Sequence, residues 1–161
     1  MPEVLLDSDI LIDHLRGYEP ARQYLKRFEA GEMQGYLSII TDAELAAGQM
    51  RQAGEEAKIH RLLALFTPLA LDFMMAWRGG ELLRQYHTRM ADALTAATAL
   101  IRHLPLSTRN LQHFTPIEGL RVEKPYDRSE GNARARQGSA AILSSASPPI
   151  PAPPEDRIAR L

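Results

Sequence analysis

Val4-Leu5-Leu6-Asp7-Ser8-Asp9-Ile10-Leu11-Ile12-Asp13 sets the reading of the whole chain. Three apolar residues in a row predict a short buried strand, and an acid closes it. A helix from about Asp9 to Arg16 follows, and Gly17 stops it. Downstream the same alternation recurs. Pro20 sits where a first helical turn tolerates it, and Ala21, Leu25 and Phe28 then mark one face at i, i+4 and i+7. Residues 35–40 read as a second strand, with Thr41 opening a helix toward Arg51. Ile59, Leu62, Leu63 and Phe66 give the next helix its stripe. Residues 68–71 read as a third strand, leading into a helix weakened by Gly79-Gly80, each costing about 1 kcal/mol against Ala. A helix from Ala91 or Asp92 to about His103, a fourth strand at 104–107 and a fifth at 120–123 complete the pattern. Strands alternating with helices predict an α/β architecture with a mainly parallel sheet, whose ligands bind beyond the carboxyl ends of the strands.

A chain of 161 residues, 45% of them apolar, suits one domain with a real core and leaves too little for two ordinary ones. Cysteine is absent, which excludes disulfide scaffolds, thiolate metal sites and cysteine nucleophiles. The opening residues have neither a basic n-region nor a long apolar run. No stretch approaches the ~20 apolar residues of a membrane span, so a cytoplasmic protein with no membrane partner is expected. Composition shifts near residue 126. Five of the eleven prolines fall in 127–161, whose few apolar residues show no period. Such a tail buries too little surface to offset its ordering entropy, so 1–126 is expected to be the folded domain and 127–161 disordered. Net charge is −1, and the part before Tyr126 holds 14 basic and 16 acidic residues. Charge alone argues mildly against a nucleic-acid binder.

The acids fall at telling places. Asp7 closes the first strand with Asp9 two residues on; Glu44 lies just past the second strand; Asp92 starts the late helix; Asn110 follows the fourth strand. In a parallel sheet these positions converge on one edge. Converging carboxylates repel, and hard oxygen-liganded ions such as Mg²⁺ or Mn²⁺ supply the counter-charge. Structural readings compete with this one. Thr41-x-x-Glu44 matches a capping box, Asp9 and Asp92 suit N-caps, and Asn110 suits the cap of a short turn. Asp7 stands apart as an acid ending an apolar strand where no cap is required. Arg16, Arg89 and Arg109 read as solvated surface charges. Thr108 reads as a turn hydroxyl bonding backbone, and His113 as a packing or hydrogen-bonding residue. Trp77 and Met74-Met75 read as core or interface.

Together these segments resemble the PIN-domain family and, within it, the VapC-type toxins. Residues 5–13 are similar to the family's opening strand, acid and helix. Ile39-Ile40-Thr41-Asp42-Ala43-Glu44-Leu45-Ala46-Ala47-Gly48 resembles its second block and Ala91-Asp92-Ala93-Leu94-Thr95-Ala96-Ala97-Thr98-Ala99-Leu100 its third. Pro105-Leu106-Ser107-Thr108-Arg109-Asn110-Leu111-Gln112-His113-Phe114 resembles its fourth, and Gly119-Leu120-Arg121-Val122 its closing strand. The resemblance spans roughly 3 to 124. It implies an α/β/α sandwich and a Mg²⁺- or Mn²⁺-dependent endoribonuclease, the toxin of a type II toxin–antitoxin pair. It further implies Asp7, Glu44 and Asp92 as metal ligands and Asn110 as the fourth catalytic position. A VapB-like antitoxin seated in a groove beside the site, with Leu11, Leu15, Leu25 and Phe28 as its candidate lining, and a toxin homodimer are implied as well. Two departures stand out: Asn110 brings no charge, and only five residues separate Tyr86 from Asp92, fewer than in many relatives. The short link motivates an alternative, a degenerate domain that binds a partner without cleaving. Leu5-Leu6-Asp7-Ser8-Asp9 also resembles the opening of haloacid-dehalogenase-like phosphatases, but no late pair of acids follows Leu106-Ser107-Thr108.

Overall fold

The computed structural model describes residues 1–48 and 54–127. The expected extension of the third helix to Arg51 and all but the first residue of the expected tail lie outside the described residues. Strands β1 (Glu3–Leu6), β2 (Gln34–Ser38), β3 (Thr67–Leu69), β4 (Leu106–Ser107) and β5 (Val122–Glu123) form one sheet, ordered β3-β2-β1-β4-β5. Every pairing is parallel. The helices are α1 (Ser8–Leu15), α2 (Glu19–Glu29), α3 (Ile39–Ala47), α4 (Glu55–Leu63), α5 (Phe73–Tyr86), α6 (Met90–Ile101) and the single turn α7 (Leu111–Phe114).

The alternation of β1 divides the core. Val4 and Leu6 pack with residues of α1, α2, α3 and α4 on one face, while Leu5 packs with residues of α5, α6 and α7 on the other. That is the three-layer α/β/α sandwich. Two glycines permit close packing. A Cβ on Gly35 would stand 2.5 Å from Phe66 Cδ1 and 3.0 Å from Phe28 Cδ1, so both rings reach the sheet only because the position is bare. A Cβ on Gly79 would stand 2.6 Å from Leu94 Cδ2, so the glycine expected to weaken α5 is where α6 approaches it.

Several boundaries shift for identifiable reasons. The second strand ends at Ser38, whose hydroxyl accepts from the Ile40 N–H and starts α3 two residues before Thr41. Phe66 lies past the end of α4 yet is 1% exposed, packed edge-on against Phe28. His87, with φ 51°, ends α5 in the left-handed region and lets α6 begin after Thr88 and Arg89. No helix among the described residues is long and apolar enough to cross a membrane.

Candidate active site

Strand β1 pairs with β2 on one side and β4 on the other, so the chain order reverses there and the carboxyl ends of β1 and β4 open together. Asp7 leaves the end of β1, its N–H donating to Ser107 O at 3.0 Å. Its side chain corrects the expectation that it is free of capping: it is the N-cap of α1, with Oδ1 accepting from Ser8 N at 2.8 Å. Oδ2 accepts from the Thr108 hydroxyl at 2.8 Å. Thr108 is fully buried and accepts in turn from Asn110 N at 3.0 Å. Its hydroxyl therefore serves backbone, as expected, and also ties β4 to the first acid.

Asp9 sits in the first turn of α1 and is not its cap. Its Oδ2 accepts from the Arg109 N–H at 2.9 Å and lies 3.4 Å from the Thr108 hydroxyl. Its Oδ1 is buried with no hydrogen-bond partner among the described residues. Arg109 is not the solvated charge expected. Its Nε lies 2.7 Å from Asp13 Oδ2, off the N–H axis, and Nη2 donates to Asp13 Oδ1 at 3.1 Å. Tyr126 completes this clamp, donating to Asp13 Oδ2 at 3.0 Å while its ring packs against Tyr18 and Tyr24.

Burial and then the neighbouring Asp9 push the Asp7 carboxyl up from 3.8 to about 7. Asp92 and Glu44 add to the rise, and the bond from Thr108 opposes it. Those two acids, distant in sequence, thus lie near enough for Asp7 to feel their charge. Burial likewise raises Asp9, with the Arg109 N–H and guanidinium opposing. The short link after Tyr86 therefore leaves Asp92 within electrostatic reach of Asp7. Arg89 occupies the N-cap position of α6, and Asp92 lies in the first turn instead of capping. The capping-box reading of Glu44 also fails, because Ser38 is the N-cap and Thr41 is inside α3, fully buried and with its hydroxyl unpartnered among the described residues.

Asp92 has a partner in His113, whose expected hydrogen-bonding role the structure bears out. His113 Nδ1 stands 3.0 Å from Asp92 Oδ2 and 2.6 Å from the Asn110 amide nitrogen. An Nδ1–H donating to the carboxylate is the tautomer that pairs Asp92, with the Asn110 amide turned to present its oxygen. Asn110, Asp92 and His113 form one cluster of side chains and Asp7, Asp9, Thr108 and Arg109 another, joined through the Asn110 N–H that donates to the Thr108 hydroxyl. Among the described residues no group of three His, Asp or Glu side chains stands at ligating separations.

Beside the site a groove of about 280 Å³ runs between α1, α3 and α4. Ile12, Leu15, Leu45 and Ile59 line it, with Glu44 and Lys58. Of the four residues expected to shape such a groove, Leu11, Leu25 and Phe28 are core, and only Leu15 faces it. Met75 is buried in the core, whereas Phe73, Met74 and Trp77 are exposed, the two rings stacked at 5.9 Å.

Comparison with known proteins agrees with this architecture. Residues 4–115 match the family described as PIN domain. Ribonuclease VapC10 of Mycobacterium tuberculosis is 40% identical over 125 residues, spanning 73% of this chain and 90% of that protein. A solved toxin–antitoxin complex from Klebsiella pneumoniae contains a chain 33% identical with a TM-score of 0.65, covering 78% of this chain and 99% of its own. DNA-bound VapBC from Salmonella typhimurium superposes at the same TM-score with 25% identity, over 78% and 100% of the two chains. A five-stranded parallel sheet, its acids gathered at the ends of β1 and β4, and these likenesses lead to one assignment: the chain belongs to the PIN-domain family, among the VapC ribonucleases.

Proposed function

We propose that this protein is a divalent-metal-dependent endoribonuclease that hydrolyses phosphodiester bonds in RNA as the toxin of a type II toxin–antitoxin pair in the cytoplasm. The observation that carries the reading is the Asp7 carboxyl, buried among the charges of Asp9, Asp92 and Glu44 and pushed up to about 7. Such a group is costly to ionise without a cation nearby. The donors are all hard oxygens, and the orphaned Asp9 Oδ1 marks an unmet demand for positive charge in the same cluster. These features suit Mg²⁺ or Mn²⁺, which Asp7, Glu44 and Asp92 would hold partly through retained waters, since the three do not stand at direct ligating separations in this structure. When bound, the ion supplies a more acidic water and charge stabilisation at the phosphoryl oxygens.

The chain's own residues do the rest. Thr108 fixes the rotamer of Asp7, and Arg109 with Asp13 holds α1 so that Asp9 stays at the cluster. His113 holds Asp92, and Asn110, the fourth catalytic position, orients water through its amide. The groove lined by Ile12, Leu15, Leu45 and Ile59 suits an apolar segment of a VapB-like antitoxin, which there would lie against Glu44. A second copy of the toxin would pack on the exposed Phe73, Met74 and Trp77.

Family membership removes the phosphatase alternative. The reading is tested by incubating purified protein with mixed tRNA and rRNA in Mg²⁺ or Mn²⁺, beside an EDTA control and Asp7→Asn. Cleavage abolished in both controls is the expected outcome. A folded protein that cuts nothing with either metal points instead to the degenerate, binding-only domain.

A further inference from the structure

A second concavity lies at the far end of α1, away from the acids. It is a cleft of about 400 Å³ between the end of α1, α2 and α4, lined by His14, Arg22, Glu29, Lys58 and Arg61 over a floor that includes Leu62. Three permanent cations and a histidine thus face one acid, in a chain whose net charge is −1. Among the described residues Lys58 and Arg61 make no ion pair, and the pair of Arg22 with Glu19 is 3.9 Å long and exposed. His14 Nδ1 is buried without a hydrogen-bond partner among the described residues. Arg22, Lys58 and Arg61 are exposed to solvent, and gathered around one concave surface with a single acid they make its potential positive, which favours an anion.

Position selects which anion. Leu15 and Lys58 line both this cleft and the groove that reaches Glu44, so the two concavities adjoin at those residues. From Asp7 at the cap of α1 to His14 near its end is about 10 Å at 1.5 Å per residue. That distance is short enough for one RNA strand to touch both. We infer that the Arg22, Lys58 and Arg61 cleft binds backbone phosphates of the RNA strand that is cut at the acidic site. The inference rests on the ribonuclease reading and adds a phosphate subsite to it. Cleft and acids divide the work: cations grip the chain at a distance, so the acidic centre need not attract a polyanion unaided. A polypeptide lying in the groove would also cover the path between them.

The test uses the full chain carrying Asp92→Asn to silence cleavage. Anisotropy of a fluorescein-labelled single-stranded RNA 20-mer of mixed sequence is titrated over a series of KCl concentrations. R22Q/K58Q/R61Q is expected to raise Kd about tenfold or more, and to flatten the slope of log Kd against log salt by roughly 2, at about 0.7 for each phosphate no longer neutralised. The equal charge change K26Q/R27Q/R84Q, on exposed cations outside the cleft, should leave both within about twofold. R22K/R61K, which keeps the charge, should retain most of the affinity. If the triple variant fails to fold, R61Q alone should still lower the slope by roughly 0.7. Unchanged binding by the cleft variants, or an equal loss in the control, overturns the subsite while leaving the ribonuclease reading intact. RNA binding unaffected beside loss of an acidic protein partner assigns the cleft to that partner and likewise overturns it. Absence of both RNA binding and RNA cleavage in the unaltered chain overturns the two together.

Discussion

Replacing Asp7 by Asn should stabilise the metal-free protein at alkaline pH while destroying its response to metal. The folded chain holds the Asp7 proton up to about pH 7, whereas the unfolded chain releases it near the ordinary 3.8. Between those values the folded state binds more protons than the unfolded one, so stability is full at low pH and falls as pH rises through that window. At about 1.4 kcal/mol per pH unit the loss approaches roughly 4 kcal/mol, a ceiling for so crowded a group. Asparagine carries no charge and keeps an oxygen for the Ser8 N–H cap. It forfeits the bond from the Thr108 hydroxyl, worth about 1 kcal/mol. The net gain is roughly 3 kcal/mol at pH 8, shrinking below about 1 kcal/mol at pH 5. Urea denaturation in EDTA at both pH values, followed by circular dichroism, reads the difference directly. Mn²⁺ should then stabilise the unaltered protein at pH 8 and leave the variant unmoved. A variant less stable than its parent at pH 8 in EDTA would refute the claim that Asp7 is ionised at a cost among like charges.

Three further substitutions probe the frame of the site. Gly79→Ala drives a methyl into Leu94 where α5 meets α6 and should cost about 1–3 kcal/mol in urea denaturation, although alanine is the better helix former. Arg109→Met leaves Asp13, 8% exposed, without its cation and should cost about 3 kcal/mol, while also lowering RNA cleavage by loosening Asp9. Tyr126→Phe removes one bond to Asp13 and should cost about 1 kcal/mol with cleavage nearly unchanged, which separates the outer part of the clamp from the chemistry.

The sheet was legible because its strands are apolar runs punctuated by acids, glycine and proline. Parallel order followed from helices filling every gap. That Glu44 and Asp92 lie within electrostatic reach of Asp7 was legible from the same logic, since each follows a strand or opens a helix, although among the described residues no three acids stand at ligating separations. What escaped was the set of partners. Arg109 looked like a surface charge because its neighbours Asp9 and Asp13 lie about 100 residues earlier, and only the pairing of β1 with β4 brings them together. His113 was one turn from Asn110 in sequence, yet nothing local announced Asp92 as its partner. Tyr126 carried no signal, being a single aromatic at a change of composition. The capping-box reading at Thr41 failed because Ser38 offered an earlier hydroxyl, and a helix starts at the first cap that serves it. Gly79 was misjudged by propensity alone, which prices the backbone and omits the neighbour that packs against it.

Mn²⁺ titration of the purified protein by calorimetry at pH 8, alongside Asp7→Asn, Glu44→Gln and Asp92→Asn, tests the central claim most directly. The account predicts measurable binding to the unaltered chain, weakened at least tenfold by each substitution. Binding that survives all three, or that is absent from a folded chain which still cuts RNA in EDTA, would contradict a carboxylate-held metal at the ends of β1 and β4.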